Sequence, residues 1–454
     1  MSGTLFGERE LRDVAQRALK AAKGDQAEAL VIARTTSLTR FANAAIHQNV
    51  SSREAEVRIR VVVGKRYASA TTNRLDEEGL RRAAEAASDL ARRAPEDPTF
   101  GGIPAPRPIQ GAPSAYVERT AEATPLDRAR AAKVLCDAAK AEKLVCAGIV
   151  SSNVQELAIA STTGTWAYAP ETHAEVQIAA IGDDGSAFAQ RVSPDFRALD
   201  VGGAAREAVT KAVRAQRPRD MAPGTYEVVL EPYCVRDMVG FLNGHFTGLA
   251  VEEGRSFVGG RIGQQVTGPI TLVDDPFDPQ GMPRAFDFEG QPSERVTLLE
   301  HGIACGIVYD SSTAHRAGVP NTGHAMPPNP FMPSAPMHAR LEAGDESYEQ
   351  LVAGVKKGLL VTRFHYTRWV HQLRTIVTGM TRDGTFAIEN GEIAYPIKNL
   401  RFTQSYHEAW SGVRAIGKDL RLLVPAEQFG ITASSQRVPA LRLAAFTFTG
   451  ATRY

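Results

Sequence analysis

The sequence predicts an α+β protein. An N-terminal α/β half is built from a duplicated helix–strands–helix unit, and a mostly antiparallel β domain follows it. Three observations carry this prediction. Amphipathic helical patterns alternate with period-two apolar runs up to about residue 220. The same order of patterns occurs twice, on either side of a proline- and glycine-rich break. Beyond about residue 254 the patterns are nearly all strand and turn.

In the first unit, residues 7–23 predict a helix, with Phe6, Leu11, Val14, Ala18 and Leu19 as its apolar positions. "EALVIA" (28–33) is a short buried strand. "AEVRIRVVVG" (55–64) sets Val57, Ile59, Val61 and Val63 against Glu56, Arg58 and Arg60, which predicts a sheet with one wet face. "LDEEGLRRAAEAASDLARRA" (75–94) is a helix with acids early and arginines late, as the macrodipole prefers. The segment 95–115 is too rich in proline and glycine for either element and predicts a linker.

The second unit opens with a helix at 124–143, Thr124 as its N-cap and Pro125 in its first turn. Strands follow at 144–152, 155–162 and 174–182, then a helix at 200–216. The domain division placed on these patterns is 1–220 and 221–454.

The second domain starts with the strand "YEVVLEP" (226–232). A helix over 233–254 follows, with Val235, Met238, Val239, Leu242, Phe246 and Leu249 on one stripe. Gly240, Gly244 and Gly248 recur along it. Each lowers helix propensity, so their expected gain is close approach of a backbone or ligand. Strands are expected in 267–276 and 295–310, a long proline-rich loop at 317–338, and a helix leading into a strand at 347–370. Asn390-Gly391, between two apolar runs, predicts a hairpin with a primed turn.

Composition narrows the function. A formal net charge of +1 argues against a nucleic-acid binder held by bulk electrostatics. "MSGTLFGERELRD" lacks the apolar core of a signal peptide, and no apolar run approaches membrane-spanning length. The four cysteines show no C-x-x-C spacing and stand in apolar neighbourhoods, so they are expected as reduced core residues of a cytoplasmic protein.

No self-evident active site emerges from the residues. H-E-x-x-H, G-x-S-x-G, G-x-G-x-x-G and the Walker lysine are all absent. His301 and Cys305 stand at i, i+4 in a strand-like stretch and read as a turn histidine and a buried cysteine. His365 and His371 share a strand face but lie roughly 20 Å apart by strand rise, too far to share a metal. His315, His324 and His338, with Asp274 or Asp275, are the remaining candidates for a metal or hydrolytic site. The pairs Asp274-Asp275 and Glu252-Glu253 otherwise read as solvated turns.

Three stretches are informative in another way. "GRSFVGGRIGQQV" (254–266), "GHAMPPNPFMP" (323–333) and "TGMTRDGTFAIENGEIAYPIKNLRF" (378–402) together resemble the TldD/PmbA family. Its members are metalloprotease components once called modulators of DNA gyrase. The resemblance implies two branches that pair as a heterodimer. The TldD-like branch carries H-E-x-x-x-H and a late cysteine as zinc ligands, and the PmbA/TldE branch lacks them. The matching residues here are "GFLNGH": Gly240 replaces the first histidine, Phe241 the glutamate, and His245 stands at the second histidine. The last cysteine is Cys305, and 429–443 offers only serines in place of the late ligand.

The resemblance therefore implies a non-catalytic TldE/PmbA-like subunit. Gly240, Phe241 and His245 are vestigial motif positions, and no residue of this chain is assigned to catalysis, metal or substrate. The zinc is expected in a TldD-like partner, unfolded peptides are the expected substrate, and a homodimer is expected where the partner is missing. The alternative is a self-sufficient hydrolase using His315, His324 or His338. A nucleic-acid role, suggested by the family's older name, is disfavoured by the neutral charge.

Overall fold

The computed structural model describes residues 5–327, 332–424 and 435–452. Helix α1 (Glu8–Ala21) starts where Gly7 turns the chain at φ 92°, and the Glu156 carboxylate accepts from the Phe6 and Gly7 amides. Strands β1 (Gln26–Ala42), β2 (Ala45–Val63) and β3 (Arg66–Thr72) follow, then α2 (Glu77–Arg93), capped by Asp76. The same order returns after the short α3 (Glu118–Ala121): α4 (Pro125–Ala141), β4 (Val145–Ser161), β5 (Trp166–Ile181), β6 (Ser186–Ser193) and α5 (Val201–Arg214). Thr124 caps α4 reciprocally with Asp127, as its position before Pro125 predicts. The two strands expected at 144–152 and 155–162 are one continuous strand, because Ser151, Ser152 and Asn153 stay in register between β1 and β5.

The six strands form one antiparallel sheet in the order β3-β2-β1-β4-β5-β6. The first strands of the two units meet in the middle, in register from Glu28↔Ser161 to Ala42↔Ala147. Helices α1 and α2 bury Leu11, Val14, Leu80 and Ala84 against Val31, Val57 and Ile59. Helices α4 and α5 do the same on the other unit. Each such Leu or Val burial contributes roughly 1.5–3 kcal/mol.

The opposite face is not wet at its centre, contrary to the alternation read from 55–64. Leu30, Ile32, Leu157 and Ile159 pack there on Phe286, Phe288 and Met337 of the C-terminal half. Arg60 is drawn into the same interface, bonded to Glu28 at 3.0 Å and Glu289 at 3.4 Å. Period-two charge thus marks a polar contact between halves, because an arginine paired twice can be buried. Residues 95–117 carry no helix or strand but are pinned. Phe100 and Ile103 are buried beside Val62, and Arg107 reaches Glu294.

The C-terminal half contains β7 (Gly224–Leu230), α6 (Pro232–Asn243), α7 (Gly248–Glu252), β8 (Leu272–Asp274), β9 (Val296–Glu300) and β10 (Ile303–Ala304). Next come α8 (Ser311–Ala317), β11 (His338–Leu341), α9 (Tyr348–Ala353), β12 (Lys357–His371), β13 (Ile376–Glu389), β14 (Glu392–Ile397) and β15 (Leu400–Ser405). The described chain finishes with α10 (Tyr406–Ser411), β16 (Val413–Ile416), β17 (Arg421–Leu423), β18 (Ser435–Val438) and β19 (Leu441–Ala451). The pairings β12–β7–β19–β15–β13–β12 close on themselves, so these five strands form a small barrel, with the far part of β12 extending beyond its partner β7. Only β12–β7 is parallel in this ring. A second sheet runs β10-β9-β8-β11-β18-β17. Helix α6 lies between barrel and sheet and buries Val235, Met238, Val239 and Leu242 in their shared core.

The Asn390-Gly391 turn forms as expected, with φ of 51° and 81° joining β13 to β14. The expected single helix at 233–254 does not. It breaks after Asn243, where Gly244 caps α6, and restarts at Gly248 with Thr247 as the new N-cap. Backbone bonds from Val308 to Phe246 and from Gly248 to Val308 hold the break, supplying partners that an uninterrupted helix would have supplied itself.

Candidate functional site

The break in α6 decides where the three motif positions go. Gly240 is exposed in the helix, Phe241 is half-buried one residue on, and His245 sits in the turn beyond the helix end, fully buried. The Phe241 ring meets Trp369 edge-on at 4.8 Å and Tyr406 at 5.6 Å. His245 packs between Phe257 at 4.7 Å and Trp369 at 5.5 Å. Neither of its ring nitrogens makes a hydrogen bond. Burial pushes the His245 imidazole down to about 4, offset only in part by the Arg255 backbone. His407, tilted against Phe257 at 5.0 Å, is lowered as well, by burial and then by Arg261. Both imidazoles are neutral at pH 7.

These donors do not fit a zinc ion. Gly240 has no side chain, Phe241 can neither ligate nor move a proton, and His245 is walled in by rings. Among the described residues, no group of three His, Cys, Asp or Glu side chains is placed to hold a metal. Of the region 429–443 read for the late ligand, 429–434 lies outside the described residues, and 435–443 holds no cysteine or histidine. In front of Phe241 lies a cleft of about 290 Å³. Gly240 and Gly244 floor it, Phe241 and Trp369 wall it, and Thr247, Arg255, Met332 and Gln372 complete its rim.

Of the histidines of the alternative site, His324 and His338 meet at Asp274, while His315 lies apart. His324 Nε2 bonds Asp274 Oδ2 at 2.9 Å in full burial, and its Nδ1 lies 2.8 Å from the Thr322 carbonyl. Both nitrogens are engaged, so this ring has none left to act as a base. Asp274 also accepts from the His338 amide at 2.7 Å, so it is a buried anchor of β8 and not a solvated turn. The His338 imidazole is buried without hydrogen bonds and pushed down to about 4 by burial. His315 instead packs on Gly101, in a separate cavity with Thr99 and Tyr309. Asp275 is spent on Arg295 and Arg340. Glu252 pairs with Arg316, and Glu253 with Arg255.

Two further expectations change. Cys305 is exposed, while Cys136, Cys146 and Cys234 are buried. The stretch around it is not a continuous strand: His301 and Gly302 turn at φ 48° and 87° and leave Cys305 beyond the short β10. β-bulges between His365 and Arg368 and between Trp369 and His371 break the even alternation assumed for His365 and His371. The cleft residues Trp369, Arg255 and Gln372 had no local signal, since only the tertiary fold brings the β12 tip over α6.

A charged lattice joins the two halves elsewhere. Glu207 on α5 accepts from Arg191, Lys211 and Arg421, and Glu231 before α6 accepts from Lys211 and from Tyr348. Burial alone would raise the Glu207 carboxyl, but the three cations hold it well below the usual carboxylate range. Every member has a partner, so the lattice works as a clamp.

Comparison with known proteins gives the family and the fold. Family models match in three consecutive parts: PmbA/TldA metallopeptidase domain 1 at 27–91, the central domain at 118–216 and the C-terminal domain at 223–450. Metalloprotease PmbA of Escherichia coli O157:H7 is 23% identical over 418 residues, 88% of this chain and 89% of that protein. A metalloprotease of Methanothermobacter thermautotrophicus is 24% identical over 296 residues, 61% of this chain and 64% of its own length, so that match spans less than two thirds of the relative. Among solved structures, TldE from Thermococcus kodakarensis superposes with a TM-score of 0.87 at 19% identity, over 97% of this chain and 100% of that one. A candidate modulator of a DNA gyrase from Thermotoga maritima gives 0.85 at 17% identity, over 97% and 100%. At these identities the structures establish a shared fold.

Proposed function

This chain belongs to the PmbA/TldD metallopeptidase family, and from that premise we propose that it is the non-catalytic, TldE/PmbA-like subunit of a heterodimeric zinc metalloprotease acting on unfolded peptides. One observation carries the reading. Glycine and phenylalanine stand at the first two motif positions, and the third, His245, is sealed behind aromatic rings. Zinc chemistry then belongs to a TldD-like partner, and this chain supplies surface for the shared substrate. The self-sufficient hydrolase has no comparable support, because His324 has no free nitrogen, His338 is buried and His315 lies apart from both. No helix among the described residues is long and apolar enough to cross a membrane, and the free thiols suit the cytoplasm in which we place the complex.

The test is co-expression with a TldD-like subunit, co-purification, and peptidase assay of each chain and of the mixture. Activity is expected in the mixture only, with loss on chelation. His245→Phe in this chain should leave it intact. Stoichiometric zinc together with peptidase activity in this chain alone would overturn the proposal.

A further inference from the structure

We propose that the cleft over α6 binds an acidic peptide segment by one bulky apolar side chain. The proposal rests on the non-catalytic reading and names what the former motif surface would hold in its place.

The glycine floor is the first argument. Gly240 and Gly244 have no positive φ. A Cβ at Gly240 would meet only Gln436 Nε2, at an ordinary 3.6 Å, and one at Gly244 only the Phe241 carbonyl at 3.4 Å. Gly248 differs, since a Cβ there would run into the Tyr309 ring at 2.5 Å. Packing therefore requires Gly248 but neither of the others. A glycine within a helix is less favourable than an alanine. What Gly240 gains at that cost is open space above bare backbone.

The walls say what fills the space. Phe241 and Trp369 offer an aromatic corner, and Trp369 is 37% exposed. The neutral His245 lies behind Trp369, so the wall carries no charge at pH 7. A volume of about 290 Å³ is at the lower limit for small-molecule pockets and suits one large side chain.

Charge says what flanks it. Thr362 to Arg382 contains four arginines, two histidines and no acid. Arg363 is spent on Asp383, and Arg382 on His365 at 2.7 Å. Among the described residues, no carboxylate lies within ion-pair distance of Arg368 or Arg374. Both are exposed on the tip that carries Trp369, and Arg368, its neighbour in the chain, stacks on Tyr366. Arg255 at the rim is balanced by Glu253, and Asp237 is engaged by Thr367 and Tyr406. Unmatched positive charge around an aromatic slot complements carboxylates on either side of an apolar anchor.

The experiment uses the full chain without a partner. Fluorescence anisotropy measures binding of a labelled peptide Gly-Asp-Glu-Phe-Glu-Asp-Gly, of its Phe-to-Ala form, and of a form with lysines for the acids. The Phe peptide should bind at least about tenfold more tightly than either control, since burying one aromatic anchor is worth that much. Gly240→Leu fills the slot and should weaken binding at least about tenfold, with an unchanged circular dichroism spectrum. Trp369→Ala, at an exposed tip, gives the same reading if the leucine variant misfolds. Equal binding of the Phe and Ala peptides, undiminished binding to a folded Gly240→Leu, binding only of the lysine form, or self-association in place of peptide binding would each overturn the proposal. A chain that binds the Phe peptide but never activates a TldD-like subunit refutes the heterodimer and leaves the cleft standing. Activation without peptide binding does the reverse.

Discussion

Arg284 grips Glu171 through two hydrogen bonds, Nε to Oε1 at 3.1 Å and Nη2 to Oε2 at 2.9 Å, with both side chains buried. The pair ties β5 of the N-terminal sheet to the segment before β9. Breaking a buried pair strands one charge, whereas replacing both partners by apolar groups does not. Glu171→Leu should therefore cost about 3–5 kcal/mol in urea unfolding. The double variant Glu171→Leu with Arg284→Met should cost less than either single change. Simple additivity of the two single losses would show that the charges act independently.

Glu175 gives a pH dependence of a particular sign. Burial pushes its carboxyl up to about 7, against hydrogen bonds from Gln177 and Gln190. Between about 4.5 and 7 the native chain holds a proton that the unfolded chain has released, so stability falls as pH rises through that window. Glu175→Gln should flatten this fall and raise stability at pH 8, by at most ~3 kcal/mol. Chemical denaturation at pH 5 and pH 8 measures it.

His245 shifts in the opposite sense. With its imidazole near 4 in the native chain and 6.5 when unfolded, protonation favours the unfolded chain as pH drops, so stability is lost on acidification across that interval. His245→Phe keeps a ring among Phe257 and Trp369 and removes the loss. The variant should equal the parent at pH 8 and exceed it near pH 4 by up to ~3 kcal/mol. A variant less stable at both pH values would assign the imidazole a polar partner.

The Asn390-Gly391 turn docks as well as reverses the chain. Gly391 adopts φ 81°, and a Cβ there would lie 2.9 Å from the Ala353 carbonyl oxygen. Strain and contact act together, so Gly391→Ala should destabilise by about 1–3 kcal/mol. Asn390→Ala, at φ 51° but free of the added clash, should cost less. Thermal melts of the two variants in reverse order would contradict this.

Patterns confined to one element were readable before the structure. The Thr124-Pro125 start of α4, the period-two runs of β2 and β5 and the Asn390-Gly391 turn all depend on neighbours within a few residues. The repeated order of elements was visible for the same reason. What failed depended on distant partners. Val308 interrupts the helix expected at 233–254, Glu28 and Glu289 bury the charge of Arg60, and His324 removes Asp274 from solvent. At the site, the replacements at Gly240 and Phe241 could be counted from sequence. The aromatic corner could not, because Trp369 lies more than a hundred residues away in the chain and reaches α6 only at the tip of a bulged hairpin.

The seam between β1 and β4 has its midpoint near Thr35↔Val154, halfway along both strands. Antiparallel strands that share a midpoint satisfy a dyad, the symmetry by which two identical molecules associate in an isologous way. The six-stranded sheet thus has the arrangement that two associating copies of one unit would give. Joining the copies end to end replaces a bimolecular encounter by a tethered one, while both copies must keep their half of the seam.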